Sequence, residues 1–339
     1  MDSYSRVAVV VLNYKGIEDT VECIDSLATQ TYRNIAIVAV ENGSHDGSAE
    51  KFKELEKQYG KKLVTIYNDK NLGFDGGANT GIRWALDNKC DYVALLNNDA
   101  VADKDWVKNL VTAAKKHKSG LTTGLLLRED GKTIDSTGEF YSKWGLGFPR
   151  NRGDKASEAP KGGFVFGASG GATLFSVPML REIGMFDEDF FAYYEDNDIS
   201  FRAQLAGWKV YYEPSAIAYH KLMQTSGRMR SGFATYQTFK NLPLVFIKNV
   251  PLGLLFPIGI RFYLAYWLIL GHAIVRGRGW PAIKGAAMSI VLGIKKLPSR
   301  WRIQHRKKVT TEYIKQILWD DLPPDQTGLR KLRKLFIGK

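Results

Sequence analysis

Cysteine is nearly missing from this chain: Cys23 and Cys90 are the only two among 339 residues. Two thiols this far apart frame no disulfide scaffold and match no metal-ligand spacing, which points to a reducing compartment. Acids are missing from a long stretch, with no Asp or Glu between Glu213 and Glu312. Apolar runs of membrane-spanning length are missing too. The two that stand out, Asn249–Ile260 and Phe262–Val275, are 12 and 14 residues long, separated by Arg261 and interrupted by Pro251, Gly253, Pro257 and Gly259. Each falls short of the roughly 20 residues a spanning helix needs. The N-terminal apolar run, Val7–Leu12, stops at Asn13 and is no signal peptide. There is no internal repeat or low-complexity tract. The glycine-rich stretch Gly73–Gly81 lacks both the Gly-x-Gly-x-x-Gly order of a dinucleotide site and the Gly-Lys-Ser/Thr of a P-loop.

What is present divides unevenly. The chain carries a net charge of +13, but residues 221–339 hold 22 Lys and Arg against 4 Asp and Glu, leaving 26 against 31 in residues 1–220. A mildly acidic front and a basic, aromatic-rich rear suggest chemistry in front and attachment to something anionic behind. A chain this long, 45% hydrophobic, buries a sizeable core. We expect a catalytic domain over residues 1–225 and a helical region over 226–339.

The front half reads as strands and helices in alternation. Val7–Leu12, Asn34–Val40, Leu63–Tyr67 and Tyr92–Leu96 are unbroken apolar runs suited to strands buried on both faces. Helices are expected over Thr20–Thr29, Ala49–Tyr59, Ile82–Asn88 and Asp103–His117, with short junctions, so the class is α/β with a mostly parallel sheet covered on both faces. Residues 121–165 are less regular, and a mobile loop over the site is expected around Trp144–Arg152. A further strand is expected at Lys209–Tyr212.

Two stretches carry the chemistry. Tyr92–Leu96 runs directly into Asn97-Asn98-Asp99, delivering a carboxylate to the rim where open α/β sheets hold ligands. Asp99 is a hard oxygen ligand for Mg²⁺ or Mn²⁺, or else a cap for the following helix. In Phe186–Arg202 acids alternate with aromatics, which desolvate carboxylates and raise their pKa, as a general base requires. Asp198 and Arg202 are spaced as a helical ion pair, and Glu195 and Asp196 sit well at a helix N-terminus. Gly73–Gly81 serves either close helix packing or approach to a nucleotide, with Asn79 offering an amide. Small residues at Gly170-Gly171 let a ligand lie near the backbone.

Six pieces then stand in one order: Val-Val-Leu-Asn-Tyr (10–14), Glu-Asn-Gly-Ser-His-Asp-Gly-Ser (41–48), Asn-Leu-Gly-Phe-Asp-Gly-Gly-Ala-Asn-Thr-Gly (71–81), Leu-Leu-Asn-Asn-Asp (95–99), Phe-Asp-Glu-Asp-Phe-Phe-Ala-Tyr-Tyr-Glu-Asp-Asn-Asp (186–198) and His220. Over about residues 6–222 the chain resembles the GT-A fold glycosyltransferases of family 2, in particular their rhamnosyltransferase-like branch. The resemblance implies an inverting, metal-dependent transfer of a sugar, rhamnose first, from a dTDP- or UDP-sugar to a lipid-linked or polysaccharide acceptor in bacterial cell-surface glycan synthesis. By the same resemblance Asp196 is the catalytic base, and Asp99 and His220 hold the metal. Asn13, Tyr14, Glu41, Asn42, Asp46, Gly73, Asn79 and Asn97 serve the donor; Gly170, Gly171 and Glu195 serve the acceptor. Glu41 stands where the family mostly has Asp, and Asn97 replaces the first Asp of its Asp-x-Asp motif. The rival readings are a nucleotidyltransferase, for which Asn13-Tyr14-Lys15-Gly16 is a poor phosphate loop, and a non-catalytic, membrane-bound nucleotide-sugar-binding protein.

In the rear half Tyr263, Tyr266, Trp267, Trp280 and Trp301 lie among Arg276, Arg278, Lys284, Lys295, Lys296, Arg300, Arg302, Arg306, Lys307 and Lys308. This mixture reads as a helical segment lying peripherally on the anionic cytoplasmic face of a membrane. A segment that spans the membrane and a helical packing or oligomer surface are the alternatives. Nucleic acid is not expected, because the cations are mixed with apolar runs and no recognition motif is present.

Overall fold

The computed structural model of the chain describes residues 5–221 and 232–322. The expected boundary at 225/226 lies outside them. Among the described residues ten strands form one mixed sheet. One half of it is parallel: β1 (Val7–Asn13) is flanked by β2 (Ile35–Asn42) and β4 (Tyr92–Leu96), with β3 (Leu63–Asn68) at the edge. Val7, Val9 and Val11 pack on one face, and Ala8 and Val10 on the other. Helices α1 (Ile17–Ala28), α2 (Ser48–Tyr59), α3 (Gly73–Asp87) and α4 (Trp106–His117) supply the two covering layers. Between β1 and β4 the strand order reverses, so their carboxyl ends leave a crevice.

The other half departs from the sequence expectation. Residues 119–128 form β6, a buried strand, where an irregular stretch was expected. Beyond β5 (Ala100–Ala102) and β6, residues 134–165 add β7 (Ile134–Ser136), a β8–β9 hairpin (Glu139–Tyr141, Gly147–Pro149) and β10 (Gly163–Val165). The Thr-Gly-Leu-Leu-Leu run of β6 is apolar enough to be central, and β11 (Ala172–Ser176) pairs antiparallel to both β6 and β4. The last strand, β12, runs from Lys209 to His220 rather than stopping at Tyr212, because a register shift between Glu213 and Ile217 absorbs Pro214 and lets pairing with β6 resume. That bulge is what carries His220 to the crevice.

Helix α3 also starts nine residues earlier than expected. Gly73–Gly81 is its first half rather than a loop, since close packing on the sheet outweighs the poor helix propensity of glycine. A Cβ at Gly77 would stand 2.4 Å from Leu12, and one at Gly81 2.4 Å from Val10.

Helix α5 (Val177–Ile183) and α6 (Glu195–Leu205) flank the acidic segment, and among the described residues of the rear half five helices follow: α7 (Phe233–Asn249), α8 (Leu252–Ala273), α9 (Gly279–Lys295), α10 (Leu297–His305) and α11 (Thr311–Ile317). Helix α8 is continuous through Pro257, against the expected interruption. It runs antiparallel to α7, with Phe262 stacked on Phe246 and the Tyr266 hydroxyl donating to the Phe239 carbonyl. The chain reverses at Arg276-Gly277, where Gly277 is left-handed, and α9 returns parallel to α7 with Gly285 against Tyr236 and Gly293 against Ile247. These helices share a core with Tyr141, Phe166, Phe190 and Phe201 of the front half. Their outer faces stay apolar: Phe256, Trp267, Val275, Trp280, Ile290, Ile294 and Trp301 are all at least half exposed. Against the sequence expectation, the stretch Leu252–Lys295 is by length and composition apolar enough to cross a membrane, although it turns back at Gly277.

Because Val10 is β-branched and buried, Gly81→Ala forces α3 off the sheet. Overpacking costs about 1–3 kcal/mol, more than the about 1 kcal/mol gained in helix propensity. We expect thermal unfolding of Gly81→Ala a few degrees below wild type; an equal or higher Tm contradicts this packing.

Candidate active site

At the carboxyl ends of β1 and β4 opens a cavity of about 630 Å³, within the range of small-ligand sites. It is lined by Tyr14, Asn42 and Gly73 on one side and by Asn97, Asp99, Gly170, Gly171, Glu195, Asp196 and His220 on the other. Residues far apart in sequence therefore share one wall. Asp99 does not cap α4, which begins at Trp106. Its Oδ1 lies instead 3.0 Å from His220 Nε2. The other imidazole nitrogen, Nδ1, is 2.9 Å from Asp135 Oδ2, and Asp135 in turn is ion-paired to Arg152. Burial works against a charged imidazole here, but hydrogen bonds and charge from Asp135 and Asp99 outweigh it and hold His220 up at about 9. Asp99 and His220 are the side chains that would hold a divalent cation here, and Asp135 would orient the ring from behind, a usual arrangement around metal-bound histidine.

Four expected donor residues are not at the cavity wall. Asn13 bonds to Thr20 and Ser44. Glu41 accepts from the amides of Gly43 and Ser44, at 3.0 and 2.9 Å, and so builds its own turn. Asp46 accepts from Ser48 at the start of α2. Asn79 is committed to the Phe186 backbone and to Glu188. The remaining ones, Tyr14, Asn42, Gly73 and Asn97, line the cavity with Gly170, Gly171 and Glu195.

The family model described as Glycosyl transferase family 2 matches residues 7–184. The chain belongs to glycosyl transferase family 2. This glycosyltransferase is 25% identical over 240 residues to the low-salt glycan biosynthesis hexosyltransferase Agl10 of Haloferax volcanii, covering 69% of this chain and 73% of that one. It is 26% identical over 249 residues to the N-acetylglucosaminyl-diphospho-decaprenol L-rhamnosyltransferase of Mycobacterium tuberculosis, covering 65% and 77%. In fold it matches the mannosyltransferase PcManGT from Pyrobaculum calidifontis, solved in complex with GDP-Man and Mn²⁺, at a TM-score of 0.56 and 17% identity over 90% of this chain and 85% of that one. It also matches GalNAc-T7, solved with UDP, GalNAc and Mn²⁺, at a TM-score of 0.59 and 17% identity over 73% and 48%. The architecture is GT-A.

The glycosyltransferase's acidic wall is a tuned pair. Burial, reinforced by the charge of Asp196, pushes Glu195 up to about 8. Burial also raises Asp196, but amides of Asn197 and Gly170, with the Asn197 side chain, donate to it and pull back toward the ionised form. Both are raised, but the three donors aimed at Asp196 favour its ionised form, so Glu195 is the member of the pair that holds its proton more firmly. Both begin α6, after a segment in which Phe191, Tyr193 and Tyr194 are all left-handed at φ 66°, 69° and 70°. Each such residue costs of order 1–3 kcal/mol and persists only when its surroundings impose it.

Sequence reasoning missed Asp135, Glu139, Phe148 and Arg152, all on the cavity wall. Glu139 is buried, and burial followed by the charge of Asp196 raises it well above the carboxylate range. These residues come from β7, the β8–β9 hairpin and the turn beyond it. The faint signal was a lone acid within Thr-Ile-Asp-Ser, a strand-like setting that does not welcome an unpaired charge.

Folded Glu195 holds its proton to about pH 8, whereas an unfolded glutamate releases it near its ordinary value of 4.5. The stability this contributes is complete below that ordinary value and is lost as pH rises through the folded one. Glu195→Gln, neutral at every pH, is expected to shrink the drop in Tm between about pH 5 and about pH 9 by a few degrees relative to wild type. Parallel Tm profiles for the two proteins would show that Glu195 does not hold this proton.

Proposed function

We propose that this family 2 member is an inverting glycosyltransferase that moves a sugar, rhamnose first among candidates, from a dTDP- or UDP-linked donor to a lipid-linked or polysaccharide acceptor in cell-surface glycan synthesis. The observation that carries the reading is that Asp99 and His220 share one cavity with the Glu195–Asp196 pair. The rhamnosyltransferase and hexosyltransferase among the relatives support the donor and acceptor classes. In this reading Tyr14 and Asn42 receive the nucleotide. Asp99 and His220 would hold Mg²⁺ or Mn²⁺, which supplies positive charge against the departing diphosphate. Asp196 removes the proton from the acceptor hydroxyl as its oxygen attacks the anomeric carbon and the bond to the diphosphate oxygen breaks. Attack from the face opposite the leaving group inverts the centre. Protonated Glu195 keeps a second negative charge away from the base and leaves a donor for an acceptor hydroxyl.

Turnover of a nucleotide-sugar panel that includes dTDP-rhamnose, with and without Mn²⁺ or Mg²⁺, tests the reaction. Asp196→Asn is expected to keep donor binding while kcat falls about 10²–10⁴-fold, the usual worth of a positioned base. Near wild-type turnover removes Asp196 from that role. Product carrying nucleotide monophosphate, with no glycoside formed, favours the nucleotidyltransferase alternative.

The rear region is proposed as a peripheral anchor on the anionic cytoplasmic membrane face. Support comes from the apolar outer faces of α8 and α9 and from the exposed Arg276, Arg278 and Lys295 beside them. The full chain is expected to float with vesicles containing anionic phospholipid and to stay partly bound in high salt. Replacing Trp267 and Trp280 by Ala should release most of it. Flotation that is unchanged by these replacements and abolished by salt alone means attachment by charge only.

A further inference from the structure

Helix α7 is more than a support for the outer helices. Phe233, Ala234 and Thr238, from its first turns, line the cavity. One turn on, the buried Asn241 turns its amide nitrogen into the left-handed segment, 3.0 Å from the Phe190 carbonyl, 2.9 Å from that of Ala192 and 2.8 Å from that of Tyr193. Its neighbour Lys240, also buried, sends Nζ to the carbonyls of Asp189 and Phe190, both at 3.0 Å. On the other side of the segment, the Phe191 carbonyl accepts from the Phe74 amide at 2.6 Å. That approach requires Gly73, where a Cβ would stand 2.4 Å from the same oxygen. The run Phe190–Tyr194 is therefore gripped between the start of α3 and the middle of α7, and its next residues are Glu195 and Asp196.

We propose that Asn241, with Lys240, is a positioning clamp: it imposes the left-handed course of Phe190–Tyr194 and thereby sets the direction in which Asp196 enters the cavity. The physical reason is that the carbonyls of Phe190, Ala192 and Tyr193 belong to no strand or helix ladder. A buried donor that meets all of them selects the one backbone course in which they converge. The Asp198 and Asp187 carboxylates, paired with Lys248 of the same helix at 2.8 and 2.6 Å, fix the two ends of the stretch. The Asn241 amide nitrogen bonds to Phe190, Ala192 and Tyr193 rather than to residues assigned to the donor, so its loss acts on the acid wall. The proposal rests on Asp196 being the base.

The test compares Asn241→Ala and Lys240→Met with Leu244→Ala, which opens a cavity in the fully buried core of the same helix without removing a bond to the segment. Hydrogen exchange of the full chain, read on a peptide covering 187–198, needs no substrate. Asn241→Ala is expected to speed exchange there at least tenfold and Lys240→Met to do so less, with Leu244→Ala unchanged in that peptide at a matched loss of Tm. In turnover, Asn241→Ala should lose at least tenfold in kcat while the affinity for UDP or dTDP with Mn²⁺ stays within about twofold. Unchanged exchange in the 187–198 peptide, or equal losses of kcat in Asn241→Ala and Leu244→Ala at equal Tm, overturns the clamp. Full activity of Asp196→Asn overturns the base assignment instead, and the exchange result then decides the clamp separately. Should Asn241→Ala not fold, Lys240→Met carries the same comparison.

Discussion

The two halves of this molecule depend on the pairing of buried and half-buried acids in Asp187–Asp198 with cations from helices that come much later in the chain. Asp198 is fully buried and meets Lys248, Arg202 and Asn249. Asp187 meets Lys248 and Lys296, and Asp189 meets Lys295 and Lys296. Burial alone would push these carboxylates toward neutrality, yet the lysines and Arg202 outweigh it and hold them below the ordinary range. Removing one partner from such a network leaves an uncompensated charge in the interior, so the front and rear halves are obliged to stay together.

This pairing also divides the carboxylates of the acidic segment into two kinds. Those facing the lysines are fixed as anions and serve as anchors. Glu195 and Asp196 face the cavity with no lysine beside them, and burial raises both. One short stretch thus contains structural charges and tunable ones, separated only by which side of the backbone each points to. The left-handed residues between them make that separation geometrically available.

The basic excess of the rear half has two destinations for the same reason. Lys240, Lys248 and Lys296 are buried and answer the front half's acids and carbonyls. Others, such as Arg276 and Arg278, stay exposed beside Trp280 and Val275. Net charge by segment cannot tell these apart, since a lysine at a buried interface and one on an open face count equally. The apolar surface of α8 and α9 is what distinguishes the outer face from an ordinary solvated one.

The residues themselves determined the parallel half-sheet. Runs such as Val7–Val11 and Val93–Leu96 bury on two faces wherever they are put, and a carboxylate placed directly after such a run ends at the sheet's rim. That made the place of Asp99 legible, and motif order singled out Asp196 and His220, which line the same cavity. Tertiary structure alone decided the rest. Gly73–Gly81 became helix because Val10 and Leu12 leave no room for side chains. Asn79 and Glu41 were drawn into local bonds away from the cavity. Asp135 reached His220 across the β6–β12 pairing, and α7 reached Phe190 from more than forty residues away. Periodicity and spacing report how a segment meets its own neighbours, whereas a hydrogen bond between distant segments depends on how whole elements pack. No local pattern encodes that.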